Sequence, residues 1–264
     1  GAPAVRVEYR SYQGAQGNVP AGAIRTMTRP VRFISRVENT MAAYGGVSET
    51  GEEAAARRVS DLLRTRGRAV SERDYFDIIS QLGCGVRQIK CRSGVGPDGE
   101  SAPDTVTVAL LIDEYEKGSH IFSAVKDAVA DALTKAGGLV PLGKTLVLCQ
   151  PQFVRFSVSI WLRCNSMEEV YEAQRATERA VRAFLDPLSG GFDGRGWKIG
   201  VLPTSRQLLA YLKLRDASLH VERMAVVARV DGQDHAVDED FLARVKNPFV
   251  MAVNGVHTVY ARTV

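Results

Sequence analysis

One stretch of the sequence has the spacing of a phosphate-binding loop. Gly138, Gly143, Lys144 and Thr145 fit the pattern G-x-x-x-x-G-K-[ST], in which backbone N–H groups and the lysine hold nucleotide phosphates. Such a loop needs a helix after it, because the helix N-terminus directs N–H groups at the phosphates. Here a helical pattern precedes the loop and an apolar, strand-like run follows it. We therefore predict an ordinary helix-to-strand connection and keep a P-loop-like NTP-binding protein as an alternative function.

A glycine-rich stretch at residues 190–200 is the second candidate for a ligand-binding loop. It contains Gly191, Gly194 and Gly196 but lacks G-x-G-x-x-G spacing after a strand, which a dinucleotide-binding loop requires. Glycines allow the positive φ angles that tight turns need. We predict a structural turn held by Trp197 and Phe192, rather than a loop that binds phosphate or carbohydrate.

The remaining reactive side chains lack the spacing of a catalytic or metal site. The histidines show no HxH or HxxxH spacing, the cysteines form no CxxC pair, and no G-x-S-x-G motif occurs. These residues are His120, His220, His235, His257, Cys84, Cys91, Cys149 and Cys164. An acidic cluster at Asp113, Glu114 and Glu116 lacks calcium-loop spacing and is interpreted as a solvated turn. We expect no catalytic residue, metal ion or cofactor, and we predict that the chain is not an enzyme.

Arginines are concentrated in one segment, where acidic residues alternate with them. They are Arg57, Arg58, Arg64, Arg66, Arg68 and Arg73. The alternation favours a solvent-exposed face with local ion pairs. A protein interface is the second interpretation, because arginine makes bidentate contacts. Nucleic acid is the third, since the whole chain carries a charge of only +4 and 7% aromatic residues. A basic nucleic-acid adaptor is therefore the other alternative function.

The elements that must position these residues change in type along the 264-residue chain. We predict a strand-rich segment, a helical hairpin, an α+β domain and a C-terminal extension, at residues 1–46, 47–84, 85–237 and 238–264. The N-terminal strands are predicted at residues 5–9 and 31–37. In the hairpin, Ser71 and Asp74 have the spacing of a capped helix start. No apolar run of about 18 residues occurs, so no membrane span is expected.

The α+β domain has the pattern of a recognised supersecondary unit. The order β-α-β-β-α-β over residues 105–230, with a glycine-rich insertion at 186–217, is that of a split βαβ, ferredoxin-like unit. Its clearest strand spans residues 153–164, where apolar side chains alternate with residues such as Arg155 and Arg163. One face of this strand is predicted to be core and the other a partly solvated or contact surface. The fold class predicted from the sequence is therefore α+β.

Several segments together resemble the signature of a known family. Residues 39–46 read NTMAAYGG, residues 63–75 read LRTRGRAVSERDY and residues 184–197 read FLDPLSGGFDGRGW, with Glu49 to Arg57 and Gly200 as further matches. These segments are similar to baseplate J-like proteins, the wedge proteins of contractile phage tails and related contractile injection systems. The resemblance spans roughly residues 18–230.

Two departures from the family's pattern are mild. Met41 and Ala42 stand where a proline is common, and Ser71 replaces the usual threonine. Serine keeps the oxygen that caps a helix. Family members are usually longer at the N-terminus. Because the sequence begins at Gly1 without a methionine, we expect it to be a piece of a longer subunit.

The resemblance implies a structural role rather than catalysis. Such proteins dimerise, form a ring of wedges around the tail hub, link the hub to the sheath and rearrange when the tail contracts. The implied partners are a second copy and other wedge, hub and sheath-initiating baseplate subunits, with no nucleic acid and no membrane. The implied location is the bacterial cytoplasm during assembly, and then the phage tail or injection particle.

Two sets of residues are the structural or interface candidates within this signature. The hairpin set, expected to fix local geometry or make a contact, is Arg64, Arg68, Asp74 and Tyr75. The turn set is Gly190, Gly191, Gly194 and Trp197.

Overall fold

The structure is a computed structural model. It describes residues 14–46, 68–116, 118–135 and 143–263, together with residues 56, 59, 60, 63 and 140. The chain forms two compact units, one from Gly1–Val86 with Ile112–Gly143 and the other from Arg87–Leu111 with Lys144–Val264. The four-part division expected from the sequence stays a prediction.

The first unit contains two described α-helices, α1 at Glu72–Gln81 and α2 at Ser119–Lys135, and a 3₁₀ turn at Gly14–Gly17. The capped start of α1 is confirmed: Ser71 Oγ accepts from the backbone N–H of Asp74, and the Asp74 carboxylate accepts from the N–H of Ser71. The first helix of the predicted hairpin lies largely outside the described residues.

The N-terminal segment differs from the prediction. The strand predicted at residues 31–37 is not formed, and residues 14–46 contain turns and irregular backbone. Phe33 has a φ of +67°, which a strand does not allow, and its side chain is fully exposed. Alternating apolar residues form a strand only when a neighbouring strand pairs with them. The strand predicted at residues 5–9 lies outside the described residues.

The second unit contains two sheets. The first has the strand order β1-β2-β3, with β1 at Val86–Val95, β2 at Ser101–Ile112 and β3 at Thr145–Cys149. β2 and β3 are parallel, with Thr105 opposite Thr145. Residues 106–112 are buried without interruption, which is typical of a strand covered on both faces.

The second sheet has the order β6-β5-β4-β7. Its strands are β4 at Gln152–Cys164, β5 at His220–Val230, β6 at Gln233–Ala236 and β7 at Val250–Thr263. β4 pairs antiparallel with β5 and parallel with β7. The helices of this unit are α3 at Met167–Leu185, α4 at Ser205–Arg215 and α5 at Glu239–Arg244, and α3 packs against β4, β7 and α4.

The α+β class is confirmed, but its strands are arranged differently from a ferredoxin-like unit. That unit needs its four strands in one sheet, whereas here β2 and β3 lie in one sheet and β4 and β5 in the other. The physical reason is that β5 and β7 occupy both edges of β4. The C-terminal strand β7 takes the edge that an earlier strand would need.

A histidine is buried where β7 packs on α3. His257 is 7% exposed, and its Nε2 lies 2.9 Å from Asn254 Oδ1, whose amide donates to the Arg182 carbonyl. Burial lowers the pKa of His257 to about 4, the charge of Arg182 acts in the same direction and Glu178 opposes it. The ordinary pKa of histidine is about 6.5. At pH values between about 6.5 and 4, His257 is therefore protonated in the unfolded chain but neutral in the folded chain.

We therefore expect the free energy of unfolding to fall as the pH drops from 6.5 to 4. His257→Gln should make the slope of stability against pH shallower in this window, since glutamine binds no proton in either the folded or the unfolded chain. Urea unfolding at several pH values measures the slope, and His120→Gln, at an exposed position, is the control. Equal slopes for wild type and His257→Gln would contradict the assignment.

Candidate functional site

The glycine-rich element, defined here as residues 184–200, is a closed turn at the end of α3. Asp186 Oδ1 accepts from the backbone N–H groups of Leu188 and Ser189, at 2.9 and 2.7 Å. The N–H of Gly190 donates to the Asp186 carbonyl at 2.8 Å, and the N–H of Gly191 donates to the Phe184 carbonyl at 3.0 Å. The element therefore satisfies its own backbone groups and needs no bound ion to close.

Glycine is required in this element for two separate reasons. At Gly190, a Cβ atom would lie 2.3 Å from the carbonyl oxygens of both Phe184 and Asp186. Gly191 and Gly194 have φ angles of +82° and +69°, which side-chain-bearing residues rarely adopt. The structure therefore places all three predicted glycines in one turn.

Trp197 anchors this turn to the core. Its Nε1–H donates to the Phe184 carbonyl at 2.7 Å, and its ring meets the Phe184 ring edge to face at a centroid distance of 5.2 Å. Phe184 also contacts Tyr211 of α4, at 4.8 Å between centroids, and Phe192, at 5.7 Å. The edge-to-face pairs that Phe184 makes with Trp197 and Phe192 each contribute about 0.5–1.5 kcal/mol beyond burial.

Two residues outside the predicted turn set complete this element, Gly196, which the sequence identified as a turn glycine, and Tyr211, which sequence reasoning missed. Gly196 combines a φ of +81° with a Cβ position only 2.3 Å from the Pro187 carbonyl oxygen. Tyr211 packs on Phe184 from a helix that begins after the element. The repeated glycines around Arg195 were a visible signal for Gly196, but no local pattern pointed to Tyr211.

The hairpin residues have a different role. Asp74 is buried, and its carboxylate accepts from the N–H groups of Ser71 and Val70, at 2.8 and 3.2 Å. Tyr75 is a core residue, and Arg68 is exposed just before the helix cap. Arg64 lies outside the described residues. The structure thus brings Asp74 and Tyr75 into the first turn of α1, in the first unit, whereas the glycine-rich element belongs to the second.

The first signature segment also has defined contacts. The Asn39 side chain donates to the Met41 carbonyl at 2.7 Å and accepts from the N–H of Ile24 at 2.8 Å. At Gly46, a Cβ would lie 2.2 Å from the Gly14 carbonyl oxygen. This segment lines an apolar cavity of about 250 Å³ beside Cys84, and burial raises the pKa of the Cys84 thiol. A thiol that stays protonated is a poor nucleophile.

The loop that matches the phosphate-binding pattern leads into a strand. Thr145 begins β3, so no helix N-terminus follows Lys144, and the ammonium group of Lys144 donates to the Pro103 carbonyl. Gly138 lies outside the described residues. The geometry after Lys144 is therefore that of the helix-to-strand connection expected from the sequence.

In the described part of the chain, no group of three histidine, cysteine or acidic side chains is placed to hold a metal ion. Within the same residues, no helix is both long and apolar enough to cross a membrane. The four cysteines are free thiols.

Comparison with known proteins gave likenesses among solved structures. No protein-family model and no curated protein matches the sequence. The structure is similar, with a TM-score of 0.46 and 15% identity, to a chain in the six-fold symmetrised cryo-EM structure of the anti-feeding prophage (AFP) baseplate. The match covers 94% of this chain and 51% of that one, so this chain spans about half the length of the chain it matches. A TM-score below 0.5 does not establish a common fold, and the function proposed below rests on this chain's own residues.

The close approach at Gly196 can be tested against a glycine of equal φ. Gly232, in the turn between β5 and β6, has a φ of +82° and no atom near its Cβ position. Gly232→Ala should lower the free energy of unfolding only by the strain of the left-handed conformation, about 1–2 kcal/mol. Gly196→Ala should lower the free energy of unfolding by a further ~1–3 kcal/mol, because the Pro187 carbonyl must move. Urea unfolding measures both, and equal losses would show that the element is not tightly closed.

Nucleotide binding at Lys144 is tested by thermal melting with Mg-ATP. We expect no change in Tm at millimolar nucleotide, because a strand and not a helix follows Lys144. Lys144→Ala is the matched variant. A Tm that rises with ATP in the wild type but not in Lys144→Ala would establish the P-loop alternative.

Proposed function

We propose that this chain is a structural, non-enzymatic wedge subunit of the baseplate of a contractile tail or injection particle. The observation that carries the proposal is the family signature in the sequence, whose glycines have positive φ angles or lie close to backbone carbonyls, and whose tryptophan donates to the Phe184 carbonyl. The proposed role is to dimerise and to link the tail hub to the sheath during assembly and contraction.

The side chains of the signature support a structural role rather than a catalytic one. The Asp186 carboxylate is used by the N–H groups of Leu188 and Ser189 and by the Ser189 hydroxyl. The Trp197 N–H donates to a carbonyl, and the Asp74 carboxylate accepts hydrogen bonds from two backbone N–H groups. The hydrogen bonds of these polar groups stabilise the local backbone conformation, which favours a structural role.

The proposed partners are a second copy of the chain and other wedge, hub and sheath-initiating subunits. A stable ring of subunits needs large interfaces, on the order of 2,000 Å² or more in total. Arg68, which is exposed, is the hairpin residue we propose for such a contact, together with Arg64. Assembly in the bacterial cytoplasm, followed by incorporation into the particle, belongs to the same proposal.

Particle assembly is the experiment that tests this function. The full-length subunit is expressed with the rest of its particle, and particles are counted by electron microscopy and characterised by mass analysis. We expect Arg68→Glu to lower the yield about tenfold or more, because a desolvated interface arginine contributes at least ~1.4 kcal/mol.

Arg92→Glu is the matched control, since Arg92 is an exposed arginine on strand β1. It should assemble at the wild-type yield. A wild-type chain that purifies as a monomer without hub or sheath partners would overturn the function. Equal yields for Arg68→Glu and wild type would overturn only the contact at Arg68.

A further inference from the structure

The second sheet buries one face and exposes part of the other. Along β4, Val158, Ile160 and Leu162 are buried, whereas Ser159 and Trp161 between them are only half-buried. Side chains alternate between the two faces of a strand. The half-buried residues therefore define a second face, opposite the core.

A row of three side chains crosses this second face. Trp161 on β4 lies opposite Arg223 on β5 and opposite Tyr260 on β7. The Trp161 and Tyr260 rings are stacked, with centroids 5.3 Å apart and an interplanar angle of 19°. The Arg223 guanidinium lies 4.9 Å from the Trp161 ring centroid. Tyr260 is 50% exposed, so the row is ordered and also accessible.

The charge of this face is unbalanced. Five arginines lie on it, and only two of them have carboxylate partners. Arg229 forms two hydrogen bonds with Asp234, at 2.6 and 2.9 Å, and Arg262 forms two with Glu222, each 3.1 Å. The three arginines without a carboxylate partner among the described residues are Arg155, Arg163 and Arg223.

We propose that this face of the second sheet is a docking surface for an acidic segment of a partner protein. Carboxylates of the partner pair with the three unbalanced arginines, and its apolar groups cover the edges of the Trp161 and Tyr260 rings. Arginine suits this role because its guanidinium binds a carboxylate through two parallel hydrogen bonds. Tryptophan, tyrosine and arginine are also the residues that dominate binding energy at protein interfaces.

The same geometry argues against nucleic acid as the occupant. Base stacking needs a free aromatic face. Because β5 and β7 flank β4 on opposite sides, Arg223 and Tyr260 flank the Trp161 ring, which leaves Tyr260 as the one ring of the row on which a base could stack.

A two-fold contact between two copies of this face is unfavourable, because both copies carry the same excess of arginine. In a two-fold dimer the same patch meets itself, which would bring the unbalanced arginines of one copy against those of the other. Like charges across an interface cost several kcal/mol. The inference rests on these side chains alone and holds whatever particle the chain belongs to.

Fluorescence anisotropy with labelled probes tests the surface on the chain itself. The probes are a short peptide of alternating glutamate and valine, the same peptide with lysine in place of glutamate, and an oligo-dT strand. We expect the glutamate peptide to bind, and the binding to weaken as salt is added. The double variant Arg163→Glu, Arg223→Glu should lower its affinity more than about tenfold.

Arg92→Glu on the first sheet is the control and should bind like the wild type. Thermal melting checks folding, and Arg163→Gln with Arg223→Gln replaces the reversed charges if that variant melts early. The proposal is overturned if the glutamate peptide does not bind, or binds the double variant as tightly as the wild type. It is also overturned if oligo-dT binds more tightly, or if the wild type forms a dimer that Arg223→Glu dissolves.

Discussion

The pairing of β4 on both of its edges is the constraint on which the second unit depends. Its backbone bonds to β5 on one side and to β7 on the other, and buried backbone groups left without such partners would cost about 1–3 kcal/mol each. Because β4 is central, its two faces have different roles. One face supports α3 and, through Phe184, the glycine-rich element, and the other carries the row of Arg223, Trp161 and Tyr260.

The glycine-rich element is coupled to this sheet at more than one point. Trp197 bonds to the last turn of α3, which packs on β4 and β7. The N–H of Gly200 donates to the Val250 carbonyl at 2.7 Å, at the start of β7. Displacing the element would therefore disturb both the helix and the strand.

The sequence predicted individual helices and strands better than it predicted which strands pair with each other. Alternation identified β4, and spacing identified the helix cap at Ser71, because both are local patterns that follow from backbone geometry. Alternation does not say which strand pairs with which, so the division into two sheets was missed. The strand predicted at residues 31–37, near Phe33, is not formed for the same reason, since alternation alone does not supply a strand to pair with it. The contact between Trp161 and Tyr260 joins residues far apart in sequence, which no local pattern reports.

The signature and the arginine-bearing sheet face use their side chains in opposite ways. In the signature, Asp186 and Trp197 direct their polar groups at the chain's own backbone, so a substitution there is felt as lost stability. On the sheet face, Arg155 and Arg163 are exposed on a strand whose opposite face is buried, so we expect a substitution there to leave the fold intact. The glycine-rich element is therefore supported from one face of β4, whereas the proposed docking surface lies on the opposite face.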